Sequence, residues 1–147
     1  MRDNIIKFLS SICVSMLAIF LCFAVLDLIW FTFISGDWYQ QEMQGLMRTE
    51  FIIWPWLAFY FLYGGVTFVL AVVANRDKPI YYAGIDGALL GLASYGAYNL
   101  TSYSILEGFS LFIMAVDWSW GTFLTSVCAM AGWAGFQKMR PKVKKEK

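Results

Sequence analysis

The sequence predicts an all-α integral membrane bundle of four transmembrane helices, and three observations carry that prediction. Of 147 residues, 60% are hydrophobic and 14% charged, and the mean hydropathy is +0.61, more apolar surface than one soluble core takes up. Four apolar runs, 8–34, 51–73, 80–103 and 109–136, are each long enough to cross a hydrocarbon core of about 30 Å at about 1.5 Å per residue. Runs of this kind must be helices, because a backbone group left unpaired in lipid costs several kcal/mol and only a helix pairs its groups within one segment. The alternating segments of about ten residues that a barrel requires are absent. The chain is read as one domain, residues 1–147, ending in a short basic tail, 137–147.

The first run begins "MRDNIIKFLSSICVSMLAIF", with a basic start that resembles a signal peptide. Its apolar stretch is too long for a signal core and no small-x-small site follows it, so it is expected to remain as a span. Near its far end it carries Asp27 and Trp30 in "LDLIWF". The segment "SGDWYQQEMQGLMRTE" places Tyr39, Met43, Leu46 and Met47 at helical spacing opposite Gln40, Gln44 and Arg48. Two readings of this short amphipathic helix stand: a lid over a polar layer, or an interfacial anchor with Trp38 in the aromatic belt. The second run opens on "WPW", Trp54 to Trp56. The third carries Asp86 near its start and Tyr95, Asn99 and Thr101 near its end, with Gly84, Gly87, Ala88 and Gly91 on one stripe. Glu107 and Gly108 form the turn into the fourth run, where Asp117, Gly121, Thr125, Cys128 and Gly132 make a second stripe. Small residues at this spacing let backbones approach, so both stripes are expected to face the bundle interior.

Basic residues set the orientation. Arg2 and Lys7, Arg76 and Lys78, and the six basic residues from Lys138 to Lys147 fall on one side, against Arg48 alone on the other, so both termini and the "ANRDKP" turn are expected in the cytoplasm. Nucleic acid is not an expected partner. Membrane lipid is, and so is a second copy of the chain. Histidine is absent, which excludes His-based nucleophile systems, and the three cysteines show no metal or disulfide spacing, so no cofactor or metal is expected.

Helix geometry brings the polar residues to one depth. Asp27 lies about seven residues before the end of its run and Asp117 about eight after the start of an antiparallel one, so both sit roughly 10 Å below the same boundary. Asn99 and the Trp54–Trp56 segment arrive at that layer as well. Asp27–Trp30 and Asp117–Trp120 repeat a D-x-x-W pattern, in which an indole can neighbour each acid at i, i+3. Interhelical hydrogen bonds in membranes contribute about 0.6 kcal/mol each on average, whereas a carboxylate at the bilayer centre costs about 2.5 to 3.5 kcal/mol. That imbalance favours a functional cluster over simple glue for the two aspartates. Asp86 is expected to be structural, snorkelling, capping, or pairing with Lys78 or the amino-terminal basic residues.

"LDLIWF", "DWY", "WPWLAFYFLY", "YGAYNLTS" and "VDWSWG" together resemble the bacterial membrane-protein family called domain of unknown function 2177, from about Phe23 to Thr122. The resemblance implies a multi-pass inner-membrane protein without a settled activity. It also implies an aspartate and a second amide in a Y-D-L-T-N segment, where this chain has Asn99 and Ser102.

Three functions are compatible with these residues. One is a pocket for a lipid, amphiphile or cation, built from Asp27, Trp30, Trp54, Trp56, Tyr95, Asn99, Thr101, Asp117 and Trp120, with Trp118 as a further wall. The second is a lipid-modifying enzyme working through paired carboxylates. The third is a structural or assembly subunit whose acids meet a partner's cation.

Overall fold

Five helices follow one another through residues 2–140, the part of the chain that the computed structural model describes. Of the expected basic tail, Lys142, Lys144, Lys145 and Lys147 lie outside the described residues. Helix α1, Arg2–Ile29, runs on into a π-helical turn, Trp30–Ile34. Helix α2, Gly36–Glu42, is short. Helix α3, Ile53–Thr67, continues through a π-helical turn, Phe68–Val72, into a 3₁₀ turn, Val73–Asn75. Helix α4 is Ile80–Ile105 and α5 is Leu111–Met139, and no strand occurs among the described residues. Pro79 precedes α4, where its missing N–H is not needed, and the Ser110 hydroxyl accepts from Ile113 N at 3.4 Å to open α5.

Three helical segments are long and apolar enough to cross a membrane: Arg2–Ile34, Ile53–Asn75 and Leu111–Met139. Among the described residues, helix α4, expected as a further span, is not one of these three. Its 26 residues reach about 39 Å, but glycine, serine, tyrosine, Asn99 and Asp86 dilute its apolarity. The dilution has a packing cause, since α4 uses its small residues against another helix.

Helix α5 is the hub, paired most extensively with α4 and next with α1. A Cβ built on Gly91 would lie 2.5 Å from Gly121 O, so the α4 and α5 backbones meet at a distance only glycine allows. Trp118 Nε1 donates to Leu92 O at 2.8 Å and Ser126 Oγ to Gly84 O at 2.9 Å across the same seam. On the other flank Ser15 Oγ donates to Gly132 O at 2.8 Å, tying α1 to α5. Both small-residue stripes therefore face inward as the spacing predicts, with Gly84, Gly87, Gly91, Gly121, Thr125, Cys128 and Gly132 all buried.

Helix α3 meets the bundle chiefly through its π-helical turn and a limited contact with α1, where Gly64 lies against the Phe20 ring. Its other half stands away. Asn75, at the end of the 3₁₀ turn, is fully buried: its Nδ2 donates to Asp86 Oδ2 at 2.5 Å, its Oδ1 accepts from Lys78 Nζ at 3.0 Å, and its carbonyl accepts from Trp133 Nε1 at 2.9 Å. Asp86 is therefore not paired with Lys78 directly: Asn75 stands between them, giving a hydrogen bond to Asp86 and taking one from Lys78.

Candidate functional site

Where α3 stands off, a cleft opens between α1, α2, α3 and the ends of α4 and α5. Its main lobe has a volume of about 700 Å³ and is lined by Phe23, Asp27, Tyr39, Trp56, Tyr98 and Asp117 among others. An adjoining lobe of about 540 Å³ shares Trp56, Tyr98 and Asp117 and adds Phe59, Ser94 and Tyr95. None of the residues lining either lobe is basic. About half of the lining residues are aromatic, and among the described residues Asp27 and Asp117 are the only charged ones on the walls.

Each aspartate is held by two neutral side-chain donors from other helices. Asp27, 8% exposed on α1, accepts from Trp120 Nε1 of α5 at 3.0 Å through Oδ1 and from Tyr60 OH of α3 at 2.6 Å through Oδ2. Asp117 on α5 accepts from Tyr39 OH of α2 at 2.5 Å through Oδ1 and from Asn99 Nδ2 of α4 at 2.6 Å through Oδ2. Asn99 is fully buried and its second amide hydrogen goes to Tyr95 O at 3.0 Å, which leaves its Oδ1 without a partner. Burial first, then the Asp117 charge and the hydrogen bond to it, push the Tyr39 hydroxyl well above the usual phenol range, so it stands as a proton donor. Neutral donors stabilise a carboxylate but leave its charge in place.

The D-x-x-W pairs work crosswise. The Trp120 indole reaches Asp27, the acid of the other pair, while Trp30 and Trp120 stack on each other at 4.3 Å between centroids and 5° between planes. Trp30 Nε1 is buried with no hydrogen-bond partner. The i, i+3 rule puts acid and indole on one face, but packing between antiparallel helices decides which acid an indole meets.

Of the residues singled out from the sequence, Asp27, Trp56, Tyr95 and Asp117 line the cleft, while Asn99, Trp30 and Trp120 stand behind it as supports. Trp54 is 71% exposed and points elsewhere, because α3 turns Trp56 toward Phe31. Thr101 falls outside too: its hydroxyl bonds back to Ala97 O and Tyr98 O of its own helix, two positions past Asn99 and on another face. Trp118 spends its indole N–H on the α4–α5 seam. The sequence reading did not single out Tyr60, Tyr98 or Phe31. Tyr60 had a signal, since Trp56, Tyr60 and Tyr63 recur at spacings of four and three along α3. The expected amphipathic helix is shorter than its spacing suggests: α2 ends at Glu42, and Met43 and Met47, which line the cleft together with Tyr39, lie in the turns beyond it, with Leu46 left exposed.

Long apolar helices joined around two carboxylates held by hydrogen bonds define an all-helical membrane protein. The chain belongs to the family described as "Predicted membrane protein (DUF2177)", whose model matches residues 12–134. No curated protein and no solved structure matches it.

Proposed function

We propose that this protein binds, and moves or presents, an amphiphile with a positively charged head, holding the head at Asp27 and Asp117 and the tail along the aromatic cleft. In this reading α1, α3, α4 and α5 all span the inner membrane, both termini are cytoplasmic, and the cleft faces the outer leaflet beneath α2. The observation that carries it is the pair of carboxylates on an otherwise uncharged cleft, each met only by neutral donors. A cation about 4 Å from one of them gains about 4 kcal/mol at an effective dielectric constant of about 20. Aromatic faces such as Trp56 and Phe31 add about 0.5 to 2 kcal/mol for each cation–π contact. Catalysis on lipid is less well supported, because phosphoryl or prenyl transfer calls for metal-binding carboxylates or a basic phosphate site, and no lining residue is basic.

The test is native mass spectrometry and titration of the purified protein with dodecyltrimethylammonium, beside Asp27→Asn and Asp117→Asn. Each variant is expected to keep its fold and to lose about tenfold to a hundredfold in affinity, against no change for an uncharged detergent of equal chain length. Identical binding by all three proteins would sink the reading and favour a structural subunit.

A further inference from the structure

Helix α2 touches both acids of the cleft by different routes. Tyr39 donates directly to Asp117 Oδ1, and the next residue back, Trp38, packs edge-on against Trp30 at 6.2 Å, which in turn stacks on the Trp120 that donates to Asp27. Trp38 also meets Phe112 of α5 at 5.4 Å, and Glu42 at the end of α2 accepts from Ser110 Oγ at 2.5 Å. Glycines bound the segment. A Cβ on Gly36 would lie 2.5 Å from Phe31 O, so the chain folds back sharply where α1 ends, and Gly45 sits at φ +89° just beyond α2. The segment is therefore a short helix between two glycine corners, roofing the cleft with Tyr39, Gln40 and Met43.

We propose that α2 is a latched lid in which the Tyr39 hydroxyl occupies the Asp117 oxygen that a ligand's head group would take, so that binding displaces the latch and lifts the helix. The proposal rests on the cleft reading for its ligand, but not for the latch itself. The roof closes the water-facing end, and the gap between α1 and α3 leaves the side of the cleft to the tail of a membrane-dissolved ligand. Movement of Trp38 with the lid also changes the packing on the Trp30–Trp120 pair, so the same event reaches Asp27.

Hydrogen exchange of the ligand-free protein tests the latch without any ligand. Tyr39→Phe keeps the ring and removes the hydroxyl, and is expected to speed exchange of the 36–43 amides about tenfold while α5 is unaffected. Glu42→Ala, which cuts the tie to Ser110 instead, is a second variant expected to act in the same direction. Dodecyltrimethylammonium should bind Tyr39→Phe severalfold more tightly than wild type, because nothing competes for the Asp117 oxygen. Unchanged exchange in both variants would overturn the lid, and weaker binding to Tyr39→Phe would overturn the competition by making Tyr39 a ligand contact. Faster exchange with no binding by any of the proteins upholds the latch and refutes the cleft reading alone.

Discussion

Replacing Gly91 by alanine tests whether the α4–α5 seam places the polar site. The added Cβ would fall 2.5 Å from Gly121 O and 2.9 Å from Thr122 Cα, whereas ordinary contact begins at 3.4 Å. Both are backbone atoms that cannot turn aside, so the helices must part by about 1 Å at this level. Overpacking of this kind costs about 1 to 3 kcal/mol, against which the better helix propensity of alanine returns at most about 1 kcal/mol. Asn99 lies eight residues further along α4, about 12 Å away. If the parting is transmitted in full, the Asn99–Asp117 bond stretches from 2.6 Å to about 3.5 Å, the limit of a hydrogen bond. Gly65→Ala is the control, because nothing lies within 4 Å of a Cβ built there.

Thermal unfolding in one detergent should place Gly91→Ala several degrees below Gly65→Ala. A double-mutant cycle with Asn99→Leu carries the finer point. Once the bond is stretched, removing the amide should cost about 1 kcal/mol less than it does in the wild-type background. Equal melting of the two alanine variants would refute the close approach, and strict additivity in the cycle would refute its transmission to the site.

Two further predictions concern the opposite end of the bundle and the orientation of the whole. Asp77 accepts from Arg140 Nη2 at 2.5 Å, and that bond holds its carboxyl below the usual carboxylate range. A folded-state value below the unfolded one gives stability that is present above about pH 4 and fades as pH falls through the folded value, so wild type should approach Asp77→Asn in melting temperature only on acidification below about pH 4. Cysteine labelling in intact cells should find Trp38→Cys and Glu107→Cys accessible from the periplasm, and a tag at Lys147 that labels from that side would reverse the proposed orientation.

Three of the long helices were legible because length and apolarity determine them, α4 by its length, and the observed segments differ from the runs read in the sequence by six residues or fewer at any end. The two aspartates were legible from cost: a carboxylate so placed needs partners, and both have two. Partner identity was not legible. Trp54 and Trp56 flank Pro55 with similar chemistry, and only the way α3 leans on the bundle turns one toward Phe31 and the other outward. The crossing of the D-x-x-W pairs was hidden for a related reason, since helical phase describes one helix and the hydrogen bonds run between helices. Thr101 could have been set aside from sequence. Two residues past Asn99 is about 200° around the helix, so both cannot face the same acid.

The pairing of donors also explains why asparagine variants separate charge from adhesion at this site. Each aspartate has one donor that cannot reverse freely: the Trp120 indole for Asp27, which has no acceptor to offer, and the Asn99 amide for Asp117, which would give up its bond to Tyr95 O by turning over. Each has one that can, the hydroxyl of Tyr60 or of Tyr39. An asparagine in either place can turn its carbonyl oxygen to the fixed donor and its amide hydrogens to the tyrosine oxygen, which then accepts instead of donating. Both hydrogen bonds survive and only the negative charge is lost. Leucine in the same places leaves an indole or an amide and a phenol without partners, at about 1 to 3 kcal/mol for each stranded group. If the acids only join helices, the two leucine variants should melt early and neither asparagine variant should differ from wild type in any assay. If they carry a cation, Asp27→Asn and Asp117→Asn should melt with the wild type and bind it about tenfold to a hundredfold more weakly.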